Sequence, residues 1–172
     1  SCLGIVGVGH VGSRIQRMAE ALGMRVLLND PPRADRGETE FVDLSVLARE
    51  CDIITFHTPL NRNGKYKTFY LADADFFAGL QRKPFIVNTS RGEVIETLAL
   101  LDALKTGEAD FGLCSPPLNN DPGKGIKTEI VFCERCCAML PPNHPMLNQK
   151  TLSFDDVVGE AMVTTSHESA LR

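Results

Sequence analysis

Short apolar runs recur along the first two thirds of the chain and predict the strands of a sheet. They lie at residues 3–6, 25–28, 53–56 and 85–87, and a shorter run at 111–113 suits a fifth strand. Nearly continuous apolar runs of this kind are typical of parallel strands that are buried on both faces.

Helical apolar spacing occupies the intervals between these runs. The predicted helices cover residues 11–22, 44–50, 73–80 and 96–104. Asp43 is placed to cap the second, and Gly107 to stop the last. The apolar positions of the helical faces are Val11, Ile15, Met18, Leu22, Leu44, Leu47, Leu98, Leu101 and Leu104. Strands that alternate with helices predict an α/β fold, a doubly wound parallel sheet of the Rossmann type.

Two parts of the chain interrupt this regularity. The prolines of residues 31–37 are expected to keep that loop extended and out of a helix. Past residue 113 the pattern degrades, because residues 114–125 and 141–145 are rich in turn-forming residues. Residues 130–140 suit either a strand or a helix, and the last edge of the domain is expected at 155–158 and 162–165. We predict one dinucleotide-binding domain over residues 1–172, regular to 113 and divergent beyond.

Composition narrows the class of protein. A length of 172 residues suits one domain, and a net charge of −4 with 43% hydrophobic residues favours neither nucleic acid nor an anionic membrane as a partner. No apolar run is long enough to span a membrane, and no leader is visible. Because the first residue is not methionine and the second already enters a strand, a fragment of a longer protein is expected. Six irregularly spaced cysteines indicate a reducing, cytoplasmic compartment.

A glycine triplet follows the first predicted strand. Gly7 allows a tight turn, Gly9 lets the backbone approach a diphosphate, and Gly12 lets the following helix pack closely on the strand. Asp30 lies eighteen residues after Gly12, where a carboxylate would hold both ribose hydroxyls of adenosine. An ordinary polar residue at a strand end is the alternative for Asp30. We predict a dinucleotide site that prefers NAD to NADP, with the backbone amide of His10 in the turn.

A second candidate segment, residues 88–95, follows the predicted strand at 85–87 directly. Ligands of open parallel sheets bind beyond the carboxyl ends of the strands, so Arg91 is placed where a substrate would lie. An arginine fork can grip a carboxylate with two parallel hydrogen bonds. The alternative is a surface arginine in a strand-to-helix loop. His57, at the end of another strand, is expected to line the cofactor pocket rather than to catalyse.

Together these segments resemble the D-2-hydroxyacid dehydrogenases. The resemblance is carried by residues 7–12, 30–33 (Asp-Pro-Pro-Arg), 56–60 (Phe-His-Thr-Pro-Leu), 66–73 (with Tyr-Lys-Thr and Leu-Ala-Asp) and 88–92 (Asn-Thr-Ser-Arg-Gly). It covers residues 2 to 113. It implies that the cofactor domain is inserted in a substrate domain, which would be missing here, and that the full-length enzyme is a homodimer acting on a small 2-hydroxy acid.

The resemblance also implies site residues. The cofactor NAD would contact Val11, Thr58, Pro59, Thr89 and Ser90, in addition to the glycine turn. The catalytic set would be Arg91, a histidine that moves the hydroxyl proton, matched by His167, and an acid that supports the histidine. The family's aspartate that contacts the nicotinamide amide is Cys114 here, and its glutamate is absent, so Asp121 is the nearest substitute.

Three other interpretations remain open at this point. A zinc site from Cys133, Cys136, Cys137 and His144 is disfavoured because the second ligand pair is missing, so no metal is expected. A dinucleotide-binding module that has lost catalysis would explain Cys114 and the missing acid. An out-of-frame end would explain why residues 133–137 resemble nothing in the family.

Overall fold

A parallel sheet organises the part of the chain that the structure describes. The structure is a computed structural model, and it describes residues 1–107, 125–127, 129 and 139–157. Its strands are β1 (Cys2–Val6), β2 (Arg25–Asn29), β3 (Ile53–Phe56) and β4 (Phe85–Asn88), in the order β2-β1-β3-β4. β1 is central, since Leu3 pairs with Val26 of β2 and with Ile53 of β3. The four predicted strands in this region are confirmed.

Helices connect the strands as the sequence predicts. They are α1 (His10–Ala21), α2 (Pro31–Ala34), α3 (Leu44–Glu50), α4 (Ala74–Ala78) and α5 (Thr97–Thr106), with a 3-10 helix at Gly92–Val94. α5 ends at Gly107, whose φ of 80° is the left-handed conformation that glycine adopts freely. The prediction that this glycine stops the helix is confirmed. Within the described residues, none of the helices is long and apolar enough to span a membrane.

Core residues lie on both faces of the sheet, although Phe85 and Val87 of β4 are 67% and 42% exposed. Leu3 and Ile5 of β1 pack with Ala19 of α1 on one face, whereas Val6 packs with Leu47 of α3 on the other. This division follows from the two-residue alternation of side chains along a strand. Apolar residues on both faces are what a doubly wound parallel sheet requires, so the predicted fold class is confirmed.

The predicted inward faces of α1 and α5 are wrong in part. Val11, Met18 and Leu22 are 57%, 67% and 78% exposed, and Leu98 is 71% exposed. α1 instead turns Gly12 and Ala19 to the sheet, and a Cβ added at Gly12 would lie 2.1 Å from the Gly7 carbonyl oxygen. The contact is therefore built from small residues that bring the helix close to β1. α5 likewise buries Ala99 and Ala103.

The segment after β2 also differs from the prediction. Residues 31–34 form α2 rather than an extended loop, with Asp30 as its N-cap. Proline is tolerated in the first helical turn because its missing N–H would have no intrahelical acceptor there. Asp43 precedes α3 without a side-chain capping bond, whereas the Asp73 carboxylate accepts a hydrogen bond from the Phe76 amide at 3.0 Å.

The chain divides into two compact units. Residues 1–113 with 123–126 form the first, and residues 114–122 with 127–172 form the second. The described part of the second unit contains a 3-10 helix at Pro145–Asn148 and a short helix, α6, at Phe154–Val157. The edge that we expected from residue 155 therefore begins as a helix. The segments predicted at 111–113, 130–138 and 162–165 lie outside the described residues.

Candidate functional site

The glycine turn between β1 and α1 leaves an open space in front of a helix. Gly7 has φ +86°, and a Cβ added there would lie 2.8 Å from the His57 carbonyl oxygen. A Cβ at Gly9, in contrast, would meet no atom of the described residues within 4 Å. Gly9 is also the N-cap of α1 and provides no side-chain cap, so the first amides of the helix face this space. The turn therefore fits an anion such as a diphosphate.

Asp30 joins the end of β2 to this turn. Its Oδ2 accepts a hydrogen bond from the Val8 amide at 2.8 Å, and its Oδ1 accepts one from the Arg33 amide at 3.2 Å. A carboxylate offers roughly four acceptor positions, so about two remain for outside donors such as ribose hydroxyls. A cavity of about 160 Å³ adjoins it, lined by Asn29, Asp30, Pro31, Ala34, Asp35, Phe41, Val42 and Asp43.

A second cleft lies at the carboxyl ends of β3 and β4. Its volume is about 180 Å³, and it is lined by Val11, His57, Thr58, Pro59, Thr89 and Ser90. The structure thus brings together six residues that the sequence assigns to cofactor contact. The Thr58 hydroxyl oxygen is buried and has no hydrogen-bond partner among the residues that the structure describes. Because a buried polar atom without a partner is costly, this hydroxyl is suited to bind a polar group of a ligand.

His57 lies between two threonine hydroxyls. Its Nε2 is 2.9 Å from Thr55 Oγ1, and its Nδ1 is 3.0 Å from Thr89 Oγ1. Burial lowers the pKa of the imidazole below its ordinary value, which favours the neutral ring. A neutral ring donates at one nitrogen and accepts at the other, and hydroxyls satisfy both roles. This arrangement suits a fixed wall of the cleft.

The turn after β4 presents Arg91. The Asn88 side-chain amide donates to the Arg91 carbonyl oxygen at 2.8 Å, and its oxygen accepts from the Ser90 amide at 3.0 Å. The Arg91 side chain is exposed and donates to the Ser90 carbonyl oxygen at 3.1 Å. Asn88 was not among the predicted site residues, although an asparagine at a strand end directly before a turn is a signal for such a role.

The loop between β3 and α4 reaches across to α2. The Tyr66 hydroxyl donates to Asp35 Oδ2 at 2.8 Å, and Lys65 Nζ lies 2.5 Å from the same oxygen. Both contacts, that of Lys65 first, lower the pKa of Asp35. The bridge therefore joins the loop after β3 to the end of α2, and these two segments follow the strands on either side of β1 in the sheet.

Several predicted site residues lie outside the described part of the chain. They are Cys114, Asp121 and His167, so the geometry described above concerns the cofactor side and Arg91 alone. The cysteines weighed as zinc ligands, Cys133, Cys136 and Cys137, also lie outside it. Within residues 1–107, 125–127, 129 and 139–157, no group of three or more His, Cys, Asp or Glu side chains is placed to hold a metal ion.

Comparison with known families identifies the class. The family model for the D-isomer specific 2-hydroxyacid dehydrogenase, NAD binding domain, matches residues 1–113. The chain therefore belongs to this family, and the predicted resemblance and cofactor are confirmed at the level of the family. The match ends at residue 113, the residue where the sequence pattern degrades.

Individual relatives refine this assignment. Erythronate-4-phosphate dehydrogenase of Bacteroides thetaiotaomicron is 59% identical over 106 residues, which cover 61% of this chain and 30% of the relative. D-lactate dehydrogenase of Escherichia coli superposes with a TM-score of 0.54 at 33% identity, covering 63% of this chain and 35% of the other. D-lactate dehydrogenase of Lactobacillus jensenii, solved with NAD⁺, gives 0.53 and 32%, with 63% and 32% covered. The chain thus spans about a third of the length of each.

A second family model matches the end of the chain. It is described as the LysR substrate binding domain and covers residues 92–172, so that it overlaps the first match over 92–113. Asp121 and His167 lie within the segment that this second model alone covers. The departure from the dehydrogenase pattern after residue 113 therefore coincides with similarity to a different family.

Proposed function

We propose that residues 1–113 are the cofactor-binding part of an NAD-dependent dehydrogenase that oxidises erythronate 4-phosphate at its 2-hydroxyl group. The observation that carries the proposal is that three features lie along the same edge of the sheet. They are the open glycine turn, the acidic residue at the end of β2, and the cleft. The 59% identity with an erythronate-4-phosphate dehydrogenase supports this substrate over lactate. We assign the reaction to pyridoxine biosynthesis in the cytoplasm.

Different residues of the site bind the different parts of NAD. The amides at Gly9 and the start of α1 bind the diphosphate, and Asp30 accepts hydrogen bonds from the adenosine ribose. The nicotinamide ring is assigned to the cleft that His57, Thr58 and Thr89 line, where the Thr58 hydroxyl gains a partner. When bound, the cofactor supplies the hydride acceptor for C2 of the substrate.

Arg91 acts on the substrate rather than on the cofactor. Its guanidinium, presented beyond the end of β4, grips the substrate carboxylate through two parallel hydrogen bonds. From the family resemblance, His167 removes the hydroxyl proton, Asp121 supports the charged imidazole, and Cys114 lies against the nicotinamide amide. In this arrangement the dinucleotide-binding domain carries a divergent end, and the whole enzyme is a homodimer. The exposed Met18 and Leu22 side chains of α1 support an association surface.

A second candidate function is a dinucleotide-binding module without catalysis. The match of residues 92–172 to the LysR substrate binding domain favours it, because that segment includes both Asp121 and His167. In this case NAD binds but no hydride is transferred, since no base accepts the hydroxyl proton.

Absorbance of NADH tests the dehydrogenase assignment. The 172-residue chain is mixed with NAD and erythronate 4-phosphate, D-glycerate or D-lactate at high protein concentration. We expect no turnover, because these 172 residues match only about a third of the length of the relatives and Asp121 is only a substitute for the family's glutamate; loss of the partner that orients a general base alone costs about 10²–10⁴-fold. In parallel, residues 1–107 replace the matching segment of the Bacteroides relative. This chimera is expected to oxidise erythronate 4-phosphate, and a folded chimera that binds NADH without turnover would contradict the dehydrogenase assignment.

A further inference from the structure

Arg33 lies in the first turn of α2, three residues after Asp30, and its guanidinium is held on several sides. Nη1 donates to the Val8 carbonyl oxygen at 3.0 Å. Nε donates to the Glu38 carboxylate at 2.9 and 3.1 Å, and Nη2 pairs with the same carboxylate. The Phe41 ring lies 4.8 Å from Cζ. The side chain thereby links the glycine turn to the loop after α2.

A second carboxylate completes this arrangement. Glu40 lies 3.5 Å from Arg33 Nη2. These contacts, with the Glu38 hydrogen bond as the largest cause, raise the pKa of Arg33. An arginine that recruits a phosphate needs N–H groups that are free to form a fork around it. In this chain the outward edge of the Arg33 fork is occupied by Glu38 and Glu40.

We propose that Glu38 and Glu40 are cofactor-specificity residues, which favour NAD over NADP by holding Arg33 away from the 2′-phosphate of NADP. The inference rests on the proposed binding of adenosine beside Asp30. The pairing of Arg33 adds a second cause of NAD preference to the charge of Asp30, because the cation nearest to Asp30 in the sequence is already paired with carboxylates. Removal of the carboxylates would turn Arg33 from a structural link into a phosphate ligand.

The test uses the 172-residue chain and the fluorescence of NADH and NADPH. We expect Glu38→Gln to tighten NADPH binding about tenfold, the effect of one charge-assisted hydrogen bond. NADH affinity is expected to change by less than about threefold, since NADH has no 2′-phosphate for the released guanidinium to bind. Glu40→Gln, whose carboxylate lies farther from Arg33, is expected to give a smaller gain in NADPH affinity alone. Adding Arg33→Met to Glu38→Gln removes the gain.

The control is Glu20→Gln, an exposed glutamate of α1 whose carboxylate accepts a hydrogen bond from Gln16. This change is expected to leave both affinities as they are. Equal weakening of NADH and NADPH by Glu38→Gln would show a purely structural residue and would overturn the proposal. So would an unchanged NADPH to NADH ratio in variants that still bind NADH. Failure of the unmodified chain to bind either nucleotide would instead refute the cofactor site itself.

Discussion

Comparison of Gly9→Ala with Gly12→Ala is predicted to separate cofactor binding from folding. At Gly9 the added methyl group meets no atom within 4 Å in the part of the chain that the structure describes, and the φ of −79° suits alanine. The free energy of unfolding should therefore stay within about 1 kcal/mol of its original value. The same methyl group fills the space assigned to the diphosphate. Loss of one amide-to-phosphate hydrogen bond, about 1.5–3 kcal/mol, weakens NADH binding by about 10- to 150-fold.

Gly12→Ala is the matched contrast. Its Cβ would lie 2.1 Å from the carbonyl oxygen of Gly7, a backbone atom that cannot rotate aside. α1 must then move away from β1, at a cost of about 1–3 kcal/mol or more in the free energy of unfolding. Because the same helix start faces the proposed diphosphate, NADH binding falls as well.

The assay pairs urea unfolding with NADH titration by fluorescence. Gly9→Ala should unfold at the original urea concentration and bind NADH weakly, whereas Gly12→Ala should lose both stability and binding. If Gly9→Ala bound NADH as tightly as the original chain, the glycine turn would not be the diphosphate site.

Three further predictions follow from the site. Arg91→Ala in the chimera should abolish oxidation of erythronate 4-phosphate with NADH affinity nearly unchanged, because the guanidinium contacts substrate; near-normal turnover would make Arg91 structural. Burial lowers the pKa of His57 below 6.5, so the unfolded chain takes up a proton on this residue at a higher pH than the folded chain does. The stability that is present above pH 6.5 is therefore lost as the pH falls through the folded-state pKa. Urea unfolding at pH 7.5 and 5.5 should show a loss that His57→Gln reduces; an equal loss in His57→Gln and in the original chain would refute this role. Asp35→Asn removes the charge that pairs with Lys65, which weakens the bridge and should speed NADH release in stopped-flow fluorescence. Exposed ion pairs contribute little to stability, so its urea midpoint should not move; an unchanged release rate would mean that the bridge does not restrain the cofactor.

The order of strands and helices was predictable because it depends on local patterns. The run at Ile53–Phe56 matches β3 residue for residue, and Gly107 ends α5 as its lack of a side chain allows. The buried face of α1 was not predictable from apolar spacing. The deciding contact is steric, between Gly12 and the Gly7 carbonyl oxygen, so a glycine rather than a leucine marks the buried face.

The candidate site was likewise predictable only in part. The glycine turn, Asp30 and the end of β3 follow from motif spacing, since each lies at the carboxyl end of a strand. The hydrogen bonds that Arg33 forms with Val8 and Glu38 were not predictable. They join residues that are 25 and 5 positions apart, and they depend on α2, where the prolines had predicted an extended loop. The turn at Asn88 depends equally on side-chain geometry.

NAD is proposed to bind along the carboxyl edge of the sheet, and NMR can locate it there. Amide chemical shifts from ¹H–¹⁵N spectra are recorded during titration of the 172-residue chain with NADH. We expect saturable shifts at Val8, Gly9 and the first turn of α1, and at Asp30, Thr58 and Ser90, with weaker binding of NADPH. Shifts confined to other parts of the chain, or no saturable shifts at high NADH concentration, would contradict it.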